Sequence, residues 1–192
     1  MFTGIVEATG TIKSIEGNKF TITHPFGEQF GVGESIALSG MCSTVLEATE
    51  QYFVVEIMLE SRRRTTFGTC SVGEKVNLER SAQIGARNSG HFVTGHIDEV
   101  GKISSISRDG DAWRFRISFS PKNAELVVEK GSIGIDGCSM TVAACGRDWL
   151  EVCVISHTFA ETLFGVKKEG DGVNLEFDIL GKYILRKEEL QE

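Results

Sequence analysis

Hydrophobic and polar residues alternate along much of this chain with a period of two. Trp113, Phe115, Ile117 and Phe119 are interleaved with Arg114, Arg116 and Ser118, so one side of the segment is apolar and the other polar, as in a half-buried strand. Phe53-Val54-Val55-Glu56-Ile57 and Leu150-Glu151-Val152-Cys153-Val154 predict two further strands, and Lys19 to Thr23 a shorter one with Phe20 and Ile22 inward. Gly17, Gly27, Gly73, Gly110, Gly146 and Gly170 punctuate these runs at turn-like spacing. Pro25 and Pro121 fall at strand ends, where a missing N–H does least harm. Helical periodicity is sparse. Glu60 to Thr66 and His157 to Leu163 each predict one or two turns, and Lys122 to Glu129 a short connecting helix. Gly181 to Glu192 predicts a terminal helix with Tyr183, Ile184 and Leu190 along one face. A helix of about 12 residues is marginal alone and needs a surface to lie on.

The strand pattern occurs twice. Ser35 to Glu79 aligns without a gap with Ser132 to Glu176 at an offset of 97 residues, and 14 of the 45 positions are identical. Among them are Gly40/Gly137, Thr44/Thr141, Gly68/Gly165 and the closing Val76-Asn77-Leu78-Glu79/Val173-Asn174-Leu175-Glu176. Thr3-Gly4 through Ile12 aligns with Thr94-Gly95 through Ile103 at an offset of 91, so the second copy carries a six-residue insertion between the two blocks. A unit of about 90 residues is a whole domain, well beyond solenoid repeats. Many short strands in such a unit predict an all-β protein of two small closed antiparallel barrels, one per copy. The boundaries predicted are 1–87 for the first barrel, 88–180 for the second and 181–192 for the tail helix, with the junction in the segment Gln83 to Gly90. Two similar domains imply two similar pockets, as expected where two copies of one small molecule are handled together.

Composition narrows the partners. A net charge of −7 argues against nucleic acid or an anionic membrane surface, and no run approaches the roughly 20 apolar residues of a membrane span. The Arg62-Arg63-Arg64 run reads as a solvated face beside Glu60. No signal peptide is visible at Met1-Phe2-Thr3-Gly4-Ile5, and five cysteines without a Cys-x-x-Cys fit free thiols in a reducing cytoplasm. Cys138, Cys145, Cys153 and His157 do not have zinc-site spacing, no phosphate loop or dinucleotide fingerprint is present, and neither metal nor cofactor is expected.

Five blocks stand in one register: Met1-Phe2-Thr3-Gly4-Ile5-Val6, Gly40-Met41-Cys42-Ser43-Thr44-Val45, Val76-Asn77-Leu78-Glu79-Arg80, Ser89-Gly90-His91-Phe92-Val93-Thr94-Gly95-His96-Ile97-Asp98 and Gly131-Ser132-Ile133-Gly134-Ile135-Asp136-Gly137-Cys138-Ser139-Met140-Thr141-Val142. Together they resemble the riboflavin synthase family from residue 1 to about residue 183. The resemblance implies two six-stranded Greek-key barrels and a C-terminal helix that helps assemble a homotrimer, with association with lumazine synthase a further partner. It implies that two molecules of 6,7-dimethyl-8-ribityllumazine exchange a four-carbon unit to give riboflavin and 5-amino-6-ribitylamino-pyrimidinedione, the last step of riboflavin biosynthesis. One lumazine would sit on the first barrel of one subunit, the other on the second barrel of a neighbour.

The resemblance also implies the site residues. On the first barrel these are Ser35, Cys42, Ser43 and Thr44 with the run Glu56-Ile57-Met58-Leu59-Glu60-Ser61. On the second they are Ser139, Met140 and Thr141 with the run Val154-Ile155-Ser156-His157-Thr158-Phe159. The leading segments add Phe2, Gly4, Ile5 and Val6, and Gly95, His96 and Ile97. Lys130 would hold the lumazine or an oxygen developing negative charge, and Asp136 and Asp178 are acidic positions that could equally cap turns. Removing a proton from the C7 methyl of lumazine requires a base, and addition at C7 an activated nucleophile or water. The differences between copies are therefore informative: Cys42 is matched by Ser139, Glu60 by His157 and Ile5 by His96. Cys42, Ser139, His91 and His96 are the candidate catalytic groups, the histidines because imidazole titrates near neutrality. Asn77 and Asn174 are expected to tie barrel strands together, and His24 to lie on the surface.

The chain departs from the family pattern at Ser39, Ser43, Ser61, Ser156 and Asn88-Ser89-Gly90, and its tail after Tyr183 is short, which leaves trimer or looser assembly open. The alternative from another class is a non-catalytic lumazine- or flavin-binding antenna protein with the same two barrels. Its known examples lack parts of the constellation formed here by Cys42, His91 and His96. A flavin-dependent reductase would need a nucleotide-binding domain after the barrel.

Overall fold

A computed structural model describes residues 1–191; Glu192, the last residue of the predicted tail helix, lies outside the described residues. The first repeat supplies strands β1 (Ala8–Glu16), β2 (Lys19–Thr23), β3 (Ser35–Leu38), β4 (Met41–Ala48), β5 (Tyr52–Glu56) and β6 (Lys75–Arg80). The second supplies β7 (Glu99–Asp109), β8 (Ala112–Ser118), β9 (Ser132–Ile135), β10 (Cys138–Cys145), β11 (Trp149–Val154) and β12 (Gly172–Phe177). Each set closes into an antiparallel barrel, in the orders β1-β2-β5-β4-β3-β6 and β7-β8-β11-β10-β9-β12, so the barrels share one topology.

Alternation fills each interior. Phe20, Ile22, Ile36, Leu38, Phe53, Val55, Val76 and Leu78 form the first core, and Phe115, Ile117, Ile133, Ile135, Leu150, Val152, Val173 and Leu175 the second. Each buried side chain contributes about 1.5–3 kcal/mol of transfer free energy. Register shifts occur at matching places, Ile12/Ser14 with Ile103/Ser105 and Val45/Glu47 with Val142/Ala144. Such bulges sharpen strand twist and help a small sheet close on itself.

The helices are short, as predicted, with shifted bounds. α1 (Leu59–Arg64) and α2 (Ser156–Glu161) each lead into a single 3-10 turn, Thr66–Gly68 and Leu163–Gly165. The segment expected to be a helix from Lys122 to Glu129 is instead a 3-10 turn at Pro121–Leu126. α3 (Ile179–Glu189) starts two residues before the predicted tail, because Asp178 caps it by accepting the Leu180 N–H at 3.0 Å. Lys182 ties α3 to Asp98 (2.7 Å), yet Tyr183 and Ile184 remain 72% and 60% exposed within the protomer.

The barrels meet through reciprocal contacts that define an approximate two-fold axis. The hairpin turns Ser39-Gly40 and Asp136-Gly137 have positive φ at both residues, as a two-residue primed turn requires. They pack backbone to backbone: a Cβ on Gly40 would sit 2.8 Å from the Gly137 nitrogen, and one on Gly137 2.7 Å from the Gly40 nitrogen. Asn77 donates to the Asp136 carbonyl (2.9 Å) and accepts the Leu163 N–H (2.9 Å). Asn174 donates to the Ser39 carbonyl (2.9 Å) and accepts the Thr66 N–H (2.8 Å). These asparagines tie barrel to barrel, not strand to strand within one barrel. His24 is not on the surface. It is 8% exposed and packs among Phe26, Phe30 and Phe53, because the loop after β2 brings Phe26 and Phe30 against it.

Candidate functional site

The leading segments of the two repeats change places. Phe2 and Val93 form an antiparallel bridge, each donating its N–H to the other's carbonyl (2.7 and 3.1 Å). Beyond the bridge, Gly4 accepts the Ser139 N–H (2.7 Å) and Gly95 accepts the Cys42 N–H (2.8 Å). Val6 packs against the second core and Ile97 within the first. Each candidate face is therefore composite: a strand of one barrel (β4 or β10) edged by the leading segment of the other. Only glycine fits at the crossing. Gly4 and Gly95 have φ of +78° and +85°, and a Cβ would lie 2.6 Å from the Ser139 Cβ and 2.5 Å from the Cys42 Cβ.

On the first face, Ser35 stands opposite Thr44 and Cys42 opposite Ala37 in the β3–β4 ladder. Strand alternation points Cys42 and Thr44 outward and turns Ser43 into the barrel, where it is 6% exposed. Cys42 is half-buried against Phe2, Ala37 and Val93. His96 is exposed beside Gly95, its N–H held by the Thr94 hydroxyl (3.3 Å). Glu56, Met58, Leu59 and Glu60 are exposed where β5 runs into α1, while Ile57 is buried and Ser61 spends its carbonyl on the Thr65 hydroxyl. The Arg64 guanidinium, bonded to Glu60 at 2.6 Å, holds that carboxyl below its usual range.

The second face differs in chemistry. Ser139 and Thr141 point outward as Cys42 and Thr44 do, and Met140 packs against the core. The Ser139 hydroxyl lies 2.7 Å from His91 Nδ1, a group with no counterpart in the first copy. Burial pushes the His91 imidazole below its usual pKa, against the opposing pull of Asp178 and Glu176. His91 Nε2 is buried without a hydrogen-bond partner among the described residues. Such an orphan costs about 1–3 kcal/mol unless a ligand satisfies it. Neutral imidazole against a hydroxyl is an arrangement able to move a proton. Ile5 lies 45% exposed along the edge of this face, and Ile155, Ser156 and His157 are exposed at the start of α2. Phe159 is half-buried and lies flat on Trp113, with centroids 3.7 Å apart, and Arg108 covers the Trp113 ring at 4.0 Å. Lys130 is exposed with φ +66°, where the first barrel has Gly33; a left-handed non-glycine residue is strained and is often kept for its side chain.

Some candidates are buried. Phe2, 1% exposed, packs against Cys42 with Ala37 and Val93, and Val154 is 0% exposed in the second core. Asp136 is buried at the joint, accepting the Asn174 N–H (2.8 Å) beside Lys167 (3.4 Å). Cys138, next to Ser139, is a buried thiol whose pKa is driven far up by desolvation, so it is no nucleophile. A groove of 950 Å³ between the barrels, lined by Arg62, Arg63, Lys75 and Lys167, contains only Leu59 of the candidates. A cleft of 670 Å³ runs from Ile5 and Phe2 along the linker past Ile84 and Phe92. Sequence reasoning passed over the residues that hold the leading segments in place, Thr3, Thr94, Glu79 and Glu176; the signal available was their identity in both copies.

The Lumazine binding domain family matches residues 3–81 and again residues 94–178, once per repeat. The riboflavin synthase of Bacillus subtilis (strain 168) is 38% identical over 191 residues, covering 97% of this chain and 89% of that one. That of Actinobacillus pleuropneumoniae is 40% identical over 189 residues, covering 96% and 88%. Among solved structures, LumP complexed with 6,7-dimethyl-8-(1'-D-ribityl) lumazine superposes with a TM-score of 0.82 at 27% identity, covering 92% of this chain and 98% of that one.

Proposed function

The chain belongs to the riboflavin synthase family of lumazine-binding proteins, and from that premise we propose that it converts two molecules of 6,7-dimethyl-8-ribityllumazine into riboflavin and 5-amino-6-ribitylamino-pyrimidinedione. Four carbons leave one lumazine and enter the other, so atoms and electrons balance without an added oxidant or reductant. The observation that carries this reading is a duplicated scaffold with unequal faces: Cys42 and Ser139 occupy equivalent crossings, but only Ser139 is paired with an imidazole. One substrate in two copies needs two similar docking faces, and a transfer between them needs those faces to act differently.

The geometry supports the following roles. On the second face the Ser139–His91 pair takes and returns protons, with Lys130 and Asp178 holding polar groups of the ligand. On the first face Cys42 and Thr44 contact the ring and His96 is the exposed base. Met58, Leu59, Ile5 and Ile155 supply apolar surface, and the chain around Glu56 to Ser61 and Val154 to Phe159 supplies amides and carbonyls to the pteridine edge. We take 1–87 and 88–180 as the two binding units and 181–192 as the tail. The exposed Tyr183 and Ile184 on α3 support a homotrimer in which the two lumazines meet across subunits, with lumazine synthase as a further partner in the cytoplasm. Among the described residues no helix is long and apolar enough to cross a membrane.

The likeness to LumP favours one second reading, binding without turnover. Purified protein incubated with the lumazine alone separates the two. The enzyme yields one riboflavin and one pyrimidinedione per two lumazines consumed. A fluorescent complex that leaves the lumazine intact would instead support the binding protein.

A further inference from the structure

Glu79 and Glu176 end the one four-residue block identical in both copies, and each is nearly fully buried, at 5% and 2% exposure. Neither has a cationic partner among the described residues. Each spends its carboxylate on the leading segment of its own repeat. Glu79 Oε1 accepts the Thr3 N–H (2.6 Å) and hydroxyl (2.7 Å), and Oε2 accepts the Gly4 N–H (3.0 Å). Glu176 repeats this with the Thr94 N–H (2.6 Å), the Thr94 hydroxyl (2.7 Å) and the Gly95 N–H (2.9 Å). Three donors to one carboxylate fix two successive peptide planes, and charge-assisted bonds of this length are about twice as strong as neutral ones.

What the gripped segment holds lies on the opposite face. The Gly4 carbonyl accepts the Ser139 N–H (2.7 Å) and the Thr3 carbonyl accepts the His91 N–H (3.1 Å). Glu79, rooted in β6 of the first barrel, thus grips the Thr3-Gly4 segment whose two carbonyls hold both members of the second face's Ser139–His91 pair. In the other direction, the Gly95 carbonyl accepts the Cys42 N–H (2.8 Å), and the Thr94 hydroxyl accepts the His96 N–H (3.3 Å) while donating to Glu176. Glu176, rooted in β12 of the second barrel, grips the Thr94-Gly95 segment that holds the first face's Cys42 and His96.

We propose that Glu79 and Glu176 are crossed positioning residues, each carboxylate belonging to one barrel and setting the geometry of the reactive face on the other. They touch no reacting atom. For the lumazine reaction this deepens the reading above and rests on it, but the crossed coupling itself is a property of the ligand-free protein. Because each face is anchored in the opposite barrel, loss of either grip misplaces one face and leaves the other in register.

The test is amide hydrogen exchange on full-length, ligand-free Glu79→Gln and Glu176→Gln. Glutamine keeps the shape but turns an NH₂ group toward a backbone N–H. Glu79→Gln is expected to speed exchange at Ser139 and His91 by about tenfold or more while Cys42 stays within about twofold, and Glu176→Gln to do the reverse. Faster exchange confined to the mutated residue's own barrel, or equal at both faces, would overturn the proposal. If either glutamine variant fails to fold, Thr3→Val and Thr94→Val remove only the hydroxyl relay. Thr94→Val must then speed exchange at Cys42, and Thr3→Val at Ser139 and His91, each while the other face stays within about twofold; no change at the opposite face would equally sink it. In turnover, kcat should fall by about tenfold or more with KM altered by less than about threefold, the pattern of a misplaced reacting group in a folded site. Wild-type protein that makes no riboflavin would refute the enzymatic reading and leave the exchange result standing.

Discussion

The two barrels agree where they join and differ where they face solvent. Asn77 and Asn174 make the same two bonds across the joint, Glu79 and Glu176 the same three, and Gly4 and Gly95 the same close crossing. On the faces, a thiol packed against Phe2, Ala37 and Val93 stands against a hydroxyl bonded to a half-buried imidazole. Below them, Arg62 reaches over Phe20 to the Gly17 carbonyl in the first barrel, where the second stacks Phe159 on Trp113. A joint built from reciprocal contacts constrains both copies at once, since a change in one side chain leaves its partner buried and unpaired. A face carries no such constraint. Divergence concentrated on the faces is what a pair of pockets for one ligand in two roles requires.

The comparison breaks most severely at the crossings. Gly4→Ala or Gly95→Ala places a methyl inside contact distance of Ser139 or Cys42 and forces a left-handed alanine. We expect each to destabilise by about 4 kcal/mol or more in urea titrations. Gly17→Ala, also at positive φ but with nothing within 4 Å, should cost only about 1–2 kcal/mol. A similar loss at all three positions would mean that strain and not the crossing is at issue.

Next comes the joint. Asn77→Ala strands the Leu163 N–H and the Asp136 carbonyl, and Asn174→Ala strands the Thr66 N–H and the Ser39 carbonyl. With each buried orphan costing about 1–3 kcal/mol, both variants should lose about 3 kcal/mol, equal to within about 1 kcal/mol. Unequal losses would show that the two-fold likeness is only geometric.

The faces should respond unequally instead. His91→Ala removes the imidazole that Ser139 is bonded to and is expected to lower riboflavin formation about 100-fold, within the range for loss of an acid–base group. Cys42→Ser gives the first face the hydroxyl of the second without its histidine, and should lower turnover by about tenfold or less. A larger effect from Cys42→Ser than from His91→Ala would transfer the chemistry to the thiol.

Much of this was legible in the sequence. Period-two alternation located β8 within a residue and β2 at both ends, and the repeat gave two barrels of one topology. The exchange of leading segments was not. Thr3-Gly4 and Thr94-Gly95 look like the starts of their own barrels, and their contacts to Glu79 and Glu176 span 75 to 82 residues, a separation that leaves no periodic trace. Asp136 reads as a site acid because it stands in a motif; three dimensions put it under the joint. His24 reads as a surface residue because only the folded loop brings Phe26 and Phe30 over it.

The smallest effect is also the one that asks whether the barrels behave as one body. His24 lies among Phe26, Phe30 and Phe53, with Nε2 on the Thr49 carbonyl and Nδ1 unpartnered among the described residues. Burial lowers its pKa from 6.5, partly offset by the Thr49 carbonyl and Glu28; burial does the same to His91 against Asp178 and Glu176. A histidine with a depressed folded pKa binds more protons when unfolded, so stability is full above about 6.5 and falls as the pH drops below it. His24→Phe fits an aromatic slot, removes this contribution and should flatten the acid limb of stability against pH. Both tryptophans, Trp113 and Trp149, belong to the second barrel, whereas His24 belongs to the first. If the joint makes unfolding cooperative, tryptophan fluorescence must report the flattened limb although the substitution lies in the other barrel. A limb unchanged by fluorescence but flattened in first-barrel amide exchange would mean that the barrels open separately, and that the joint fixes geometry without coupling stability.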